Sequence, residues 1–148
     1  MAVRVQTDDF DLGAEATVLS AMGDAGAVVT FTGHVRGTDG VGAMTLEHYP
    51  GMTEAALAEI EAEAHRRFDL TGSLIIHRVG RLLPGERIMM VATASRHRAA
   101  AFTAAEFLMD YLKTCAPFWK KEEIGTEARW VDAREADDAA TARWSAGD

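Results

Sequence analysis

Two stretches of this chain, SLIIHRV (Ser73–Val79) and ERIMMVATA (Glu86–Ala94), are apolar at nearly every position rather than at every second one. A strand with one wet face alternates apolar and polar side chains, whereas a strand covered on both faces does not. These runs, joined through GRLLPG, therefore read as strands buried on each side, and the rest of the chain has to supply the cover. Asp11–Met22 reads as a helix, with Asp11 as N-cap and Gly23 near its stop. Thr53 caps a second helix, running to about Phe68, whose Leu57, Ile60, Ala64 and Phe68 share one face. A third spans about Arg96 to Lys113, with Ala101, Ala105, Leu108, Leu112 and Cys115 along one stripe. Pro117 ends it, because the residue before a proline is pushed out of helical geometry.

Val3–Thr7, Gly26–Thr32, Ala43–Tyr49, Phe118–Glu123 and Trp130–Val131 read as further strands, and Ala133–Trp144 as a final helix. The second of these strands is expected to bury Val29 and Phe31. A glycine-studded loop, GHVRGTDGVG, separates it from the third, after which Pro50-Gly51 breaks the chain. Strands and helices mix without a βαβα rhythm, so the expected class is α+β, a mixed α/β sandwich. At 148 residues with no repeat or long linker, one domain over 1–148 is the simplest organisation. Within it, 137–148 form a peripheral C-terminal helix and tail.

The formal charge of −8 argues against general binding to nucleic acid or anionic membranes. No apolar run is long enough for a transmembrane helix, and MAVRVQTDDF lacks a signal-peptide pattern. Cys115 is the lone cysteine, which excludes an internal disulfide framework and suits a reducing compartment, so the cytoplasm is expected. The five histidines, at 34, 48, 65, 77 and 97, form no metal-ligand spacing, and no metal is expected. His48 and His77, in strands, read as structural.

Three stretches can carry chemistry. In SRHR (Ser95–Arg98) a buried strand hands over to a helix, and two arginines sit where the helix dipole disfavours cations. A bound phosphate or carboxylate would explain them, with His97 as a titratable donor; a surface arginine pair balanced by acids is the alternative. In HVRG (His34–Gly37) Arg36 lies between Gly33 and Gly37, which allow close backbone approach to an anion, though such loops are common. The third, KTCAPFWKKEE (Lys113–Glu123), holds all three lysines of a chain whose other twelve basic residues are arginines. If Phe118–Glu123 is extended, Phe118, Lys120 and Glu122 share one face, and Trp119, Lys121 and Glu123 the other. Lys113 can join Lys120 once the chain turns at Ala116-Pro117. Two such groups at one site suit general acid–base work; complementing a helix C-terminus in a solvated turn is the alternative. Cys115, on an apolar stripe, reads as a small buried hydrophobe rather than a nucleophile. Trp119 and Trp130 read as core or interface residues.

GAVVTFTGHVRG, TLEHYPGMTEAAL, SRHR and MDYLKTCAPFWKKE, in this order from Gly26 to Arg134, resemble the large-subunit family of molybdopterin synthase. The resemblance implies an α/β hammerhead fold and a homodimer that binds a small ubiquitin-like sulfur carrier at each end, giving a heterotetramer. It implies sulfurtransferase activity in molybdenum cofactor biosynthesis. Sulfur from the carrier's C-terminal Gly-Gly thiocarboxylate converts cyclic pyranopterin monophosphate (precursor Z) to molybdopterin, without a metal or redox cofactor. Carried over by position, the substrate loop falls on His34, Val35 and Arg36, and a histidine–arginine pair on His97 and Arg98. The functional lysines fall on Lys113 and Lys120, and the residues after the second on Lys121 and Glu122. An arginine given by the neighbouring subunit falls on Arg134. His34 departs from the family pattern, where lysine is common.

Overall fold

Strand β1 (Ala2–Gln6), helix α1 (Leu12–Ser20), strands β2 (Ala27–His34) and β3 (Val41–His48) and helix α2 (Met52–Arg67) open the chain. Strands β4 (Gly72–Arg78), β5 (Gly80–Leu82) and β6 (Arg87–Ser95) lead into helix α3 (Arg98–Cys115). Strands β7 (Phe118–Ile124) and β8 (Glu127–Val131) and helix α4 (Glu135–Ala146) complete it. This computed structural model describes residues 2–131 and 135–146. Its strands form two four-stranded sheets, ordered β1-β4-β6-β2 and β5-β3-β7-β8.

The two apolar runs are the central strands β4 and β6 of the first sheet, antiparallel with Ile75 opposite Val91. Both of their faces are covered. Ile75, Met89 and Val91 pack with Leu57, Ile60 and Ala64 of α2 and Phe107, Leu108 and Leu112 of α3. Leu74, Ile76, Met90, Ala92 and Ala94 point the other way, against Phe10 and Leu19 at α1. Each of these Val, Leu, Ile, Met and Phe side chains stabilises the fold by roughly 1.5–3 kcal/mol relative to exposure. The polar residues in these runs have partners. Ser73 donates to Glu61 Oε2 at 2.5 Å and lies 2.7 Å from His65 Nε2. Arg78, only 7% exposed, donates to the carbonyls of Thr7 and Arg87 and to Glu86.

Several elements differ from the sequence expectation. GRLLPG is not merely a connection: Gly80, at φ +94°, turns the chain out of the first sheet, and Gly80–Leu82 become β5 in the second. The burial of Leu82 against Val35 and Leu46 drives this crossing. Gly51 occupies the N-cap of α2, while the buried Thr53 hydroxyl accepts from Tyr49 N–H and donates to Tyr49 C=O. Phe31 is 43% exposed rather than buried, because it borders the open cavity between the sheets, and Val29 is half-buried. Cys115 is exposed, not a buried hydrophobe: Leu112 is the last residue of its stripe in the core, and the final turn runs on past it. Trp119 and Trp130 are 44% and 54% exposed, so neither is a core residue.

Helix α4 is docked rather than loose. Trp144 packs edge-on to Phe68 and Phe107 and donates Nε1–H to Asp110 at 2.7 Å. Thr141 donates to Asp110 C=O at 2.8 Å. Among the described residues no helix is long and apolar enough to cross a membrane.

Candidate active site

A cavity of about 510 Å³ opens where the two sheets meet, and strands of both sheets together with α3 and α4 supply its walls. The end of β2 and its following loop give Phe31, His34, Arg36 and Asp39; β3 gives Met44 and Leu46. The end of β4 gives His77, the last turn of α3 Leu112 and Lys113, and β7 and β8 give Phe118, Lys120, Glu122 and Arg129. The floor is apolar apart from His77, and on the rim Arg36, Lys113, Lys120 and Arg129 stand among Asp39, Glu122 and Asp137.

Local chemistry places the two lysines. Lys113 lies in the last turn of α3, where a cation complements the partial negative charge of the helix end. Ala116, extended at φ −81° and ψ 133°, and Pro117 then redirect the chain into β7. Along β7 the side chains alternate as expected, so Phe118, Lys120 and Glu122 line the cavity, opposite His48, Leu46 and Met44 of β3. Trp119, Lys121 and Glu123 take the other face. There Trp119 meets Tyr49 edge-on at 5.0 Å, Lys121 Nζ lies 5.4 Å from the Trp130 ring, and Glu123 pairs with Arg81.

His77 reads as structural from its place in a strand, yet it lines the cavity. Its ring stacks on Phe118 at 3.8 Å between centroids, and Nδ1 donates to Arg78 C=O at 2.8 Å. Burial pushes its pKa down to about 4, and the charges of Lys113 and Lys120 act in the same direction, so the ring is neutral at physiological pH. Period-two alternation in SLIIHR puts His77 on the face of Ile75, the helix-covered side, but it cannot show that the cover ends there. Arg129 is a second residue that sequence reasoning missed; pairing β8 with β7 sets it opposite Glu122.

The remaining sequence candidates divide. His34, Arg36, Lys113, Lys120 and Glu122 meet at the cavity. Val35, 3% exposed, packs with Leu46 and Leu82, while its N–H and C=O bond to Glu86 and Gly85; it anchors the loop. Lys121 faces away from the cavity. His97 and Arg98 are exposed at the start of α3, roughly 22 Å along the helix from Lys113, and do not reach the same chain's cavity. Arg96 lies 4.0 Å from Asp24, both largely exposed. Arg134 lies outside the described residues. Among the described residues, no group of three or more His, Cys, Asp and Glu is placed to hold a metal ion.

Fold and site together define an α+β domain with a charged-rimmed pocket, built round two lysines from consecutive elements over a largely apolar floor. The family model described as "MoaE protein" matches residues 5–115. The chain belongs to the MoaE family, whose members are catalytic subunits of an enzyme of molybdenum cofactor biosynthesis. It is 60% identical over 146 residues to the molybdopterin synthase catalytic subunit of Cereibacter sphaeroides, covering 97% of this chain and 100% of that one. The solved MoaE protein of Burkholderia ambifaria superposes with a TM-score of 0.85 at 58% identity, over 98% and 99% of the two chains. Molybdopterin synthase of Staphylococcus aureus superposes at 0.81 with 31% identity, over 87% and 96%. The α+β class expected from the sequence is thus the fold of this family.

Proposed function

We propose that this chain is the catalytic large subunit of a molybdopterin synthase. It moves sulfur from the thiocarboxylated Gly-Gly terminus of a small ubiquitin-like carrier to cyclic pyranopterin monophosphate, and two such transfers build the dithiolene of molybdopterin. The observation that carries this reading is the meeting of Lys113 and Lys120 over a largely apolar floor, in a cavity rimmed by His34, Arg36 and Arg129. A flat, polar pterin fits between apolar side chains, and its cyclic phosphate is drawn to guanidinium groups that can bind it with two parallel N–H bonds. The carrier's thiocarboxylate is also an anion, so Arg36, Arg129 and the two lysines on an otherwise acidic protein favour both reactants.

In this mechanism Arg36 holds the phosphate from the β2 side. Lys113 neutralises and orients the thiocarboxylate, so that its sulfur faces a carbon of the substrate. Sulfur attacks that carbon as a carbon–oxygen bond of the substrate breaks and its oxygen takes up a proton; water then hydrolyses the acyl–sulfur bond, leaving sulfur on the substrate and releasing the carrier's ordinary carboxylate. Lys120 serves as general acid–base and stabilises the charge that develops, with Glu122 beside it on the same face. Lys121 acts from the outer face, through its contact with Trp130 on β8. His97, Arg98 and Arg134 serve the neighbouring pocket of a homodimer, because His97 and Arg98 lie too far from their own. Carriers at the two ends of that dimer make the heterotetramer.

The test mixes the protein with thiocarboxylated carrier and cyclic pyranopterin monophosphate and follows dithiolene formation by mass spectrometry. Lys113→Ala and Lys120→Ala should each lower turnover at least a hundredfold, with unchanged circular dichroism and melting temperature. Near-normal turnover in either variant removes the role given to that lysine. Carrier binding without sulfur loss, in the unaltered protein, would make the chain an adaptor.

A further inference from the structure

His77 is the one histidine whose ring is both buried in the core and open to the pocket. Four observations define it. It is 5% exposed, it stacks face to face on Phe118, Arg78 C=O holds its Nδ1–H, and it lines the cavity with both lysines. The stack fixes the plane of the ring and the Arg78 bond fixes its rotation and tautomer. With Nδ1 engaged as donor, Nε2 is an unprotonated acceptor and the only polar atom His77 can offer the cavity. The titratable groups facing it are Lys113 from α3, Lys120 from β7 and His48 from β3, and Glu122 stands on the same wall as Lys120. Such a floor is suited to receiving an N–H, not to carrying a proton.

We propose that His77 is a positioning residue: a fixed, uncharged acceptor at the pocket floor that takes a hydrogen bond from one of the two lysine ammonium groups and directs it toward the reacting atoms. A charged residue there would act differently. A third cation would repel the lysines, and a carboxylate would pair with one of them and withdraw it from the reaction. A neutral acceptor orients an ammonium while leaving it able to give up its proton.

The proposal rests on the sulfur-transfer reading only where turnover is measured. Its first test needs no substrate, because the chain has three lysines and Lys121, on the outer face of β7, serves as an internal reference. Trace acetylation by acetic anhydride, read by mass spectrometry, compares Lys113 and Lys120 with Lys121 in the unaltered protein, His77→Phe and His77→Gln. Phenylalanine keeps a flat ring on Phe118 but has no acceptor; glutamine keeps an acceptor. Labelling of Lys113 or Lys120 relative to Lys121 should rise at least threefold in His77→Phe and return toward normal in His77→Gln. In the sulfur-transfer assay His77→Phe should lower kcat about tenfold and displace the pH–rate profile, with little change in KM for the carrier, and His77→Gln should restore both. Unchanged labelling ratios in folded His77→Phe overturn the proposal. Should that variant not fold, His77→Met, of similar volume and without a strong acceptor, replaces it in the same comparison. Absence of product with the unaltered protein counts against sulfur transfer alone, since the labelling ratios stand without it.

Discussion

Lys113 and Lys120 are near in sequence, but they reach one pocket only because a helix ends and a strand begins between them. Lys113 is carried by the last turn of α3 and Lys120 by the inward face of β7, with Ala116 and Pro117 making the bend. The alternation of KTCAPFWKKEE was legible without coordinates, and Phe118, Lys120 and Glu122 do share the cavity face. His77 was not legible in the same way, because a buried strand histidine is ordinarily a structural one. Its burial has a consequence at the scale of the single residue. The pKa is about 4 in the folded chain against an ordinary 6.5, so between these values the unfolded chain binds the extra proton. Stability from this group is fully present above pH 6.5 and is lost as the pH falls through about 4, amounting to about 3 kcal/mol. Denaturant midpoints measured at pH 7, 5.5 and 4 should fall more steeply in the unaltered protein than in His77→Gln. Parallel curves would show that His77 is not the group responsible. Glu61 acts in the opposite sense: burial raises its pKa, so its contribution is greatest at low pH and is lost as the pH rises through the folded value.

Among the elements, β4 and β6 are the ones whose sequence dictated their surroundings. Continuous apolar runs required cover on both faces, and α1 on one side with α2 and α3 on the other provide it. The crossing at Gly80 was invisible by comparison, since GRLLPG has the composition of a turn and becomes a strand only by pairing with β3. The entry to β2 shows how closely these elements are fitted. Gly26 donates its N–H to Ser95 C=O at 2.9 Å, and a Cβ there would lie 2.2 Å from the carbonyl oxygen of Arg96. Gly26→Ala should therefore displace the β6–α3 junction and destabilise the protein by roughly 1–3 kcal/mol, with a lower melting temperature. A melting temperature unchanged within a degree would mean that the junction yields without strain. Because His97 and Arg98 follow this junction directly, the variant also displaces the two residues assigned to the neighbouring pocket.

At the scale of the whole molecule, one chain does not assemble every residue that the sequence singled out. His97 and Arg98 stand at the opposite end of α3 from Lys113, so a pocket that uses all of them needs two copies. This gives a subunit-mixing prediction. Lys120→Ala and Arg98→Ala should each be inactive alone, whereas an equimolar re-associated mixture forms some dimers in which one pocket draws every residue from an unaltered position. If half of the dimers are mixed and one pocket of each is intact, about a quarter of normal activity returns. A mixture that exchanges subunits but stays inactive would place the Arg98 contribution within its own chain. The exposed aromatic side chains Tyr49, Trp119 and Trp130 on the outer face of the second sheet remain outside this pocket.

The sequence by itself determined the α+β class, the double cover of β4 and β6, the end of α3 at Pro117 and the shared face of Phe118, Lys120 and Glu122. All of these follow from local rules: side-chain period, proline geometry and the burial of continuous apolar runs. The tertiary structure alone decided that Cys115 is exposed, that Val35 anchors its loop from the core and that His77 and Arg129 enter the cavity. It also decided that SRHR lies far from the lysines. Those outcomes depend on where one sheet ends against another, and no local period records that boundary; it is fixed by contacts between residues such as Leu82, Leu46 and Val35 that lie far apart in the chain.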